Sequence, residues 1–319
     1  MKAILYERYG PPGVLKLEEI PKPTPRDHEV LIKVHATTVT ALDWRARSLT
    51  APKGFGLFMR LALGTSRPRR QILGAELSGE IESIGRAVSR FKVGDPVFAG
   101  VLGCYVEYKC VPEDGPLALK PANLSYEEAA AIPFGGLTAL AAVRKARIQG
   151  GESVLINGAS GAVGTAAVQL AKHHGAKVTG VCSTANLELV KSIGADHVID
   201  YTREDFTRSG ETYDIVVDNV GNAPFSRVKG SLKNGGRLLV VVGALSDMLL
   251  APWVSRTSGK RVTPVLARPT AEDLRFLASL AESGQFKPVI DRRYPFERIT
   301  EAHRYVDTGR KRGNVVVTL

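Results

Sequence analysis

Residues 154–172 read VLINGASGAVGTAAVQLAK. Val154, Leu155 and Ile156 form a short continuous apolar run, the pattern of a strand buried on both faces. The turn that follows, Gly158-Ala159-Ser160-Gly161-Ala162-Val163-Gly164, is built of small residues and opens an Ala/Val/Gln/Leu helix. Strand, glycine turn and helix in that order are the setting in which glycine spacing signifies dinucleotide binding. The form is A-x-G-x-x-G, with Ala159 in place of the commoner first glycine. Gly161 lets the backbone approach a pyrophosphate, and Gly164 lets the helix pack close to the strand. The helix N-terminus then offers the phosphates its unpaired N–H groups and the positive end of its dipole. A sharp turn that binds nothing is the plainer alternative, but the strand–turn–helix context favours a ligand.

Elements to position that turn follow from the rest of the chain. At 319 residues the protein exceeds one average core, so two domains are expected. Residues 1–36 alternate β-rich runs (Met1–Tyr6, Val30–Ala36) with proline-rich turns. Further short strands are expected at Gly79–Ile84, Pro96–Ala99 and Tyr105–Val111, which together predict a mostly antiparallel β domain. From Ser125 the texture changes. Ser125-Tyr126-Glu127-Glu128 has the form of a capping box, and Gly135–Arg147 reads as a second helix.

Strands and helices then alternate through Val178–Cys182, Asn186–Ile193, His197–Ile199, Tyr213–Asp218, Phe225–Leu232, Arg237–Val242 and Val262–Ala267. Such alternation predicts an α/β, doubly wound parallel sheet with helices on both faces. Helices at Ala271–Ser283 and Phe296–Asp307 precede a strand at Asn314–Leu319, expected to return to the first domain. The glycine-flanked apolar insert from Gly54 to Gly64 is either a short packed helix or a mobile lid or partner surface.

Hydrophobic content of 44% and charged content of 24% are those of an ordinary soluble globular protein. The N-terminus MKAILYERYG lacks a signal-peptide layout and no stretch has the apolar length of a membrane span, so the expected compartment is the cytoplasm. Cys104, Cys110 and Cys182 are scattered and odd in number, which fits a reducing compartment. The formal charge is +11. No acid lies between Asp43 and Glu76, whereas Arg45, Arg47, Lys53, Arg60, Arg67, Arg69 and Arg70 all do. Such bases can serve a nucleic-acid or membrane surface, attract an anionic cofactor or substrate, or simply be solvated. No nucleic-acid motif accompanies them.

Several segments together resemble one known family over nearly the whole chain: VTALDWRAR (Val39–Arg47), GAELSGEIESIG (Gly74–Gly85), FKVGDPVF (Phe91–Phe98), PFGGLTAL (Pro133–Leu140), the glycine motif, SIGADHVIDY (Ser192–Tyr201) and the terminal KRGNVVVTL. In order and spacing they resemble the zinc-independent medium-chain dehydrogenase/reductases of the quinone oxidoreductase-like group. The resemblance implies a GroES-like β-barrel catalytic domain over 1–122, a Rossmann NADP-binding domain over 123–267 and a return to the catalytic domain over 268–319. It also implies an active site between the domains and a homodimer.

Zinc-dependent relatives place a Cys near Thr40 and a His before the glutamate corresponding to Glu76, where this chain has Ala75. Their four-cysteine lobe should fall at about residues 85–115, where only Cys104 and Cys110 occur. A catalytic zinc takes three protein ligands and a structural one four; neither set is complete here, and no metal is expected.

NAD-preferring units carry an acid about 20 residues past the glycine motif. Here the second strand ends Val181-Cys182-Ser183-Thr184, with no acid before Glu188. The Ser183 and Thr184 hydroxyls can donate to a 2′-phosphate, with Lys177, Lys191 and Arg203 as nearby cations, so NADPH is favoured over NADH. They can equally serve as helix caps. Asn186 stands where the family often has a lysine, and Tyr201 matches a tyrosine at the adenosine phosphate. The resemblance further places Thr138 near the nicotinamide, Asn219, Val220, Gly243 and Ala244 at the cofactor, and Asn314 over it from the barrel side.

Without zinc, hydride transfer is easiest to a substrate that delocalises charge itself, a quinone or an α,β-unsaturated carbonyl. The enolate oxygen then needs only hydrogen-bond donors, for which Tyr105, Thr40 and Trp44 are candidates; Asp43 matches the family's V-N-P-x-D pattern. Barrel packing for Tyr105 and Trp44, and an internal hydrogen bond for Asp43, are the competing structural roles. Two enzymatic alternatives are an enoyl-thioester reductase and a metal-free alcohol/aldehyde oxidoreductase. An NADPH-sensing binding protein is the alternative of a different class.

Overall fold

The computed structural model describes residues 1–319, which form two compact units. One comprises residues 1–51, 56–134 and 269–319; the other comprises 52–55 and 135–268. In chain order the first stretch holds β1 (Lys2–Leu5), β2 (Lys16–Glu19), β3 (Glu29–Thr38), α1 (Ala41–Ser48), α2 (Gly56–Leu63), β4 (Leu77–Ile84), β5 (Pro96–Ala99), β6 (Tyr108–Pro112), β7 (Leu117–Leu119) and α3 (Tyr126–Ala130). Helix α4 (Pro133–Ala146) leads into the second unit.

There follow β8 (Ser153–Asn157), α5 (Ala162–His173), β9 (Lys177–Cys182), α6 (Leu187–Ser192), β10 (His197–Asp200), β11 (Tyr213–Asp218), α7 (Phe225–Val228), β12 (Leu232–Val240), α8 (Leu245–Thr257) and β13 (Arg261–Pro264). The chain then returns through α9 (Ala271–Glu282), β14 (Ile290–Pro295), α10 (Ile299–Asp307) and β15 (Asn314–Thr318).

In the first unit a seven-stranded sheet runs β14-β15-β3-β4-β5-β7, with β6 also paired to β3. All pairings are antiparallel except β14 with β15. The C-terminal strand returns as expected, with Val316 opposite Thr38. Central β3 turns Val30, Ile32 and Val34 to one face, where they form one core with Leu77, Ile81, Val97 and Leu117, while Lys33 on the other face is exposed.

The second unit is a six-stranded, all-parallel sheet in the order β10-β9-β8-β11-β12-β13. Counted from β8, this is the 3-2-1-4-5-6 order of a Rossmann fold, and its topological switch lies between β8 and β11. The continuous apolar runs demanded a sheet covered on both sides, and Val154, Leu155 and Ile156 are fully buried.

The expected capping box is formed: the Glu128 N–H donates to Ser125 Oγ at 3.2 Å, and the Ser125 N–H to Glu128 Oε2 at 2.9 Å. The helix it opens belongs with the first unit, not with the second as the change of texture at Ser125 suggested. Ala130 and Ala131 pack against Ala36 and Val316, and Ser78 Oγ donates to the Tyr126 carbonyl.

Helix α8 and strand β14 are additions to the expected pattern. In α8 an internal Pro252 breaks the usual helical signature, yet the backbone continues past it. The insert Gly54–Gly64 contains a helix, α2, in which no residue is fully buried.

Candidate functional site

At the switch point of the second unit, β8 runs into Gly158, whose φ of +76° is open to glycine and strained for most other residues. A Cβ on Gly164 would sit 2.0 Å from the Gly158 carbonyl oxygen, so glycine there is what seats α5 against the turn. Gly161 is different. A Cβ there would meet nothing nearer than that same oxygen at 3.7 Å, so the protein's own packing does not require glycine at 161. Gly161 is the N-cap of α5 and supplies no side-chain cap, which leaves the first N–H groups of the helix without an intrahelical partner. Ala159 is buried and Ser160, Gly161 and Val163 are half-buried around this opening.

Beside it, Asp218 at the end of β11 organises the next loop by accepting from Asn157 Nδ2 and from the N–H groups of Val220, Gly221 and Ala223. Asn219 donates Nδ2 to the Asn157 carbonyl at 3.1 Å, while its buried Oδ1 has no partner. An orphaned acceptor at the switch point calls for a donor such as a ribose hydroxyl. Val220 lies over Gly158, and Gly243 is buried just before Ala244, the N-cap of α8. Helix α4 touches the same place: a Cβ on Gly135 would stand 2.6 Å from the Ala162 carbonyl oxygen. Thr138, three residues on, shares that face of α4.

Asn186 Nδ2 donates to Ser160 Oγ at 3.1 Å and to Ser183 Oγ at 3.2 Å. Two hydroxyls that accept from one amide keep their own protons for another acceptor. Thr184, expected to donate to a phosphate, does otherwise: its hydroxyl is turned to Asp200 and lies 3.1 Å from that of Thr202. Sequence spacing does not link Asp200 to Thr184, because Asp200 sits on the neighbouring strand, where register places it beside Cys182. Hydrogen bonds from Thr184 and Thr202 hold its carboxyl below the usual range. Tyr201 is 63% exposed, tied by its N–H to the Cys182 carbonyl.

In the first unit the four candidate catalytic residues resolve differently. Thr40 is the N-cap of α1, and Asp43 completes a capping box with it. The Asp43 carboxylate accepts from the Thr40 N–H and hydroxyl at 2.8 and 2.6 Å, and from the Gly74 N–H at 2.8 Å. Burial raises its pKa against the pull of those donors. Tyr105 is fully buried, its hydroxyl 3.3 Å from the Thr38 carbonyl and 3.2 Å from His303 Nε2; burial raises the phenol far above its ordinary value. Thr40, Asp43 and Tyr105 are thus engaged in hydrogen bonds that hold α1 and the strands together, the structural roles set beside a place at the substrate. Trp44 packs half-buried on this core with Arg45 over its ring. Asn314 donates Nδ2 to the Val289 carbonyl at 3.1 Å, closing the β14–β15 junction.

Glu76 is fully buried. Thr38 donates its hydroxyl to one carboxyl oxygen, and the Phe134 N–H donates to the other at 2.5 Å. Burial pushes Glu76 up to about 8, and desolvation pulls the nearby Lys311 down to about 8. Lys311 Nζ donates to the Gly313 carbonyl at 2.6 Å.

Profiles of two protein families match this chain: the alcohol dehydrogenase GroES-like domain over residues 26–148 and the zinc-binding dehydrogenase over 193–317. A 2-methylene-furan-3-one reductase of Solanum lycopersicum is 35% identical, covering 99% of this chain and 79% of that protein. The chain belongs to the quinone oxidoreductase-like medium-chain dehydrogenase/reductases.

A chloroplastic NADPH-dependent alkenal/one oxidoreductase of Arabidopsis thaliana is 34% identical over the same shares. The quinone oxidoreductase of Coxiella burnetii superposes with a TM-score of 0.88 at 31% identity, covering 100% of this chain and 99% of that one.

Medium-chain dehydrogenase/reductases use a nicotinamide dinucleotide, and the residues present fit one: the open Gly161, the uncapped start of α5 and the orphaned Asn219 Oδ1 converge at the switch point. The zinc in the second family's description is another matter. No group of three or more His, Cys, Asp or Glu side chains is gathered anywhere in the structure. The Glu76 carboxyl is already taken by Thr38 and Phe134, and the Cys104 thiol donates to the Val101 carbonyl. The residues present do not fit a catalytic zinc.

Proposed function

We propose that this oxidoreductase is an NADPH-dependent, zinc-independent reductase of quinones or α,β-unsaturated carbonyls. The observation that carries the reading is the pairing of a glycine cradle fit for a dinucleotide with a Glu76 site that lacks the other zinc ligands. Relatives named for quinone, alkenal/one and furanone reduction point the same way. When bound, the nicotinamide supplies a hydride. This chain's residues bind and orient: Gly158–Gly164 and the start of α5 hold the pyrophosphate, Asn219 Oδ1 accepts from a ribose hydroxyl, and Thr138, Val220, Gly243 and Ala244 line the cofactor. Ser160 and Ser183, aligned by Asn186, donate to a 2′-phosphate, with Tyr201 beside it. Asn314 closes over the cofactor.

At the acceptor a quinone or enone takes the hydride into its own π-system, so a modest donor at the oxygen suffices and no Lewis acid is required. With Thr40, Asp43 and Tyr105 engaged internally, the Trp44 indole N–H is the proposed donor. A cytoplasmic location is part of this proposal, in keeping with the free cysteines. No helix is long and apolar enough to cross a membrane. It is read as a homodimer, for which exposed Leu249, Leu250 and Trp253 of α8 provide apolar surface.

The test is NADPH oxidation with a panel of quinones, enones, enoyl thioesters and aldehydes, with NADH in parallel. Turnover confined to quinones and enones, faster with NADPH, is the expected result. Turnover only on thioesters or aldehydes overturns the acceptor class; binding of neither nicotinamide overturns the whole reading.

A further inference from the structure

Helix α2 breaks the usual rule for surface helices. Its inner side, Met59 and Leu63, is half-buried, and Leu63 packs on the core that contains Tyr105 and Ile299. Its outer side is apolar too: Leu57, Phe58 and Leu61 are 68%, 60% and 53% exposed. Leu61 lies three residues from Phe58 and four from Leu57, which puts it beside both on one face. A helix apolar all round is ordinarily buried; this one is presented to the outside at a length of about 12 Å.

The exposed charges on and after the helix are of one sign: Arg60 lies on it, and Arg67, Arg69 and Arg70 follow, all exposed. Arg45 and Arg47, which the sequence groups with them, are set apart by the fold. Arg45 lies over Trp44, and Arg47 is buried against Asp307. The acids that bound the stretch, Asp43 and Glu76, are themselves buried with their carboxyls bonded inward. No carboxylate from this stretch therefore offsets the four exposed arginines. Arg67 and Arg69, with Leu5, Pro68, Gln71 and Ile72, line an open cavity of about 630 Å³.

We propose that α2 and the arginines following it dock the protein on an anionic lipid bilayer. Leu57, Phe58 and Leu61 enter the interface between headgroups and acyl chains, the four arginines meet the lipid phosphates, and the Arg67–Arg69 cavity receives one headgroup. Apolar insertion with a polybasic patch is the two-part signal that surface binding needs when either part alone is marginal. A second copy of this chain is a poorer occupant, because pairing two α2 faces would bring like charges together. Nucleic acid would leave the leucines without a partner. The docking does not depend on which acceptor is reduced.

The experiment is flotation of the full-length protein with vesicles of phosphatidylcholine, with and without phosphatidylserine, at low and high salt. The expected result is flotation with phosphatidylserine vesicles at low salt, and its loss as the screening length falls from about 10 Å at 0.1 M salt to about 3 Å at 1 M. Combined Arg67→Glu, Arg69→Glu and Arg70→Glu should lower the partition coefficient at least a hundredfold, about fivefold for each charge removed and more for the reversal. Leu57→Ser with Leu61→Ser should lower it about tenfold or more. Unchanged circular dichroism and melting temperature exclude unfolding as the cause. Absence of flotation overturns the proposal, as does flotation that neither set of substitutions weakens. A dimer whose dissociation constant rises in Leu57→Ser/Leu61→Ser, without vesicle binding, would assign the face to a second copy instead.

Discussion

The Tyr105 hydroxyl lies 3.2 Å from His303 Nε2, and neither side chain is exposed to solvent. Their rings meet edge-on at a centroid distance of 5.7 Å. The pair joins the segment between β5 and β6 to α10, and burial beside Arg47 lowers the imidazole to about 3, so His303 is neutral in the fold. A phenol in this position is a structural donor. Tyr105→Phe should leave kcat within about twofold, where loss of a general acid would cost about a hundredfold or more. It should cost about 1–3 kcal/mol in denaturant unfolding, since a buried ring nitrogen loses its partner. Steady-state kinetics and urea melts check both; a hundredfold drop in kcat with unchanged stability would return Tyr105 to the chemistry.

The two glycines of the turn separate folding from binding. Gly164→Ala forces a Cβ to within 2.0 Å of the Gly158 carbonyl oxygen, so it should destabilise the second unit by several kcal/mol, of the order seen for overpacking. Gly161→Ala meets no such contact and should leave the melting temperature nearly unchanged. It should nonetheless weaken NADPH binding at least tenfold, because its Cβ occupies the pyrophosphate's approach. Fluorescence titration with NADPH beside thermal melts distinguishes the two; equal effects on stability would count against the cradle.

Arg47 is 1% exposed at its side chain and places Nη2 at 2.8 and 2.7 Å from the two Asp307 carboxylate oxygens, while its Nε and Nη1 have no partner. Asp307→Ala removes the only counter-charge and should cost about 3–5 kcal/mol, as expected when a buried pair loses one member. Asp307→Asn keeps one acceptor and should cost less. Urea unfolding of both variants tests the order; equal, small losses would mean that solvent reaches the guanidinium.

Glu76 and Lys311 should give the protein a pH signature. Glu76 titrates at about 8 in the fold against 4.5 when unperturbed, so between these values the folded state holds a proton that the unfolded state has released, and stability falls as pH rises. Lys311 titrates at about 8 against 10.5, so between these values the unfolded state holds the extra proton and stability rises with pH. The two limbs meet in a minimum near pH 8. Glu76→Gln, which can still accept from Thr38 and Phe134, should abolish the falling limb. Melting curves across pH 5–10 that run parallel for both proteins would refute the assignment.

The local signals in the sequence held wherever neighbours along the chain supply the physics. The Val154–Ile156 run, the glycine turn, the box at Ser125–Glu128 and the parallel alternation after Val178 each carry their own backbone and burial requirements, and each stands in the structure. The same kind of signal was present at Thr40 and Asp43, three residues apart as a cap requires, but a family pattern drew Asp43 towards chemistry. Helix α8 escaped because Pro252 masks it.

Tertiary contact alone decided the rest, since a side chain's role depends on which strangers the fold brings within reach. Sequence separations of 198 positions for Tyr105 and His303, and of 260 for Arg47 and Asp307, leave no trace of either pair in local spacing. Only the parallel register of β10 against β9 sets Asp200 beside Cys182 and gives the Thr184 hydroxyl an acceptor. The amino-acid sequence by itself determined the sheet, the cradle and the missing metal ligands. Burial and register determined which of its polar residues were left facing outward.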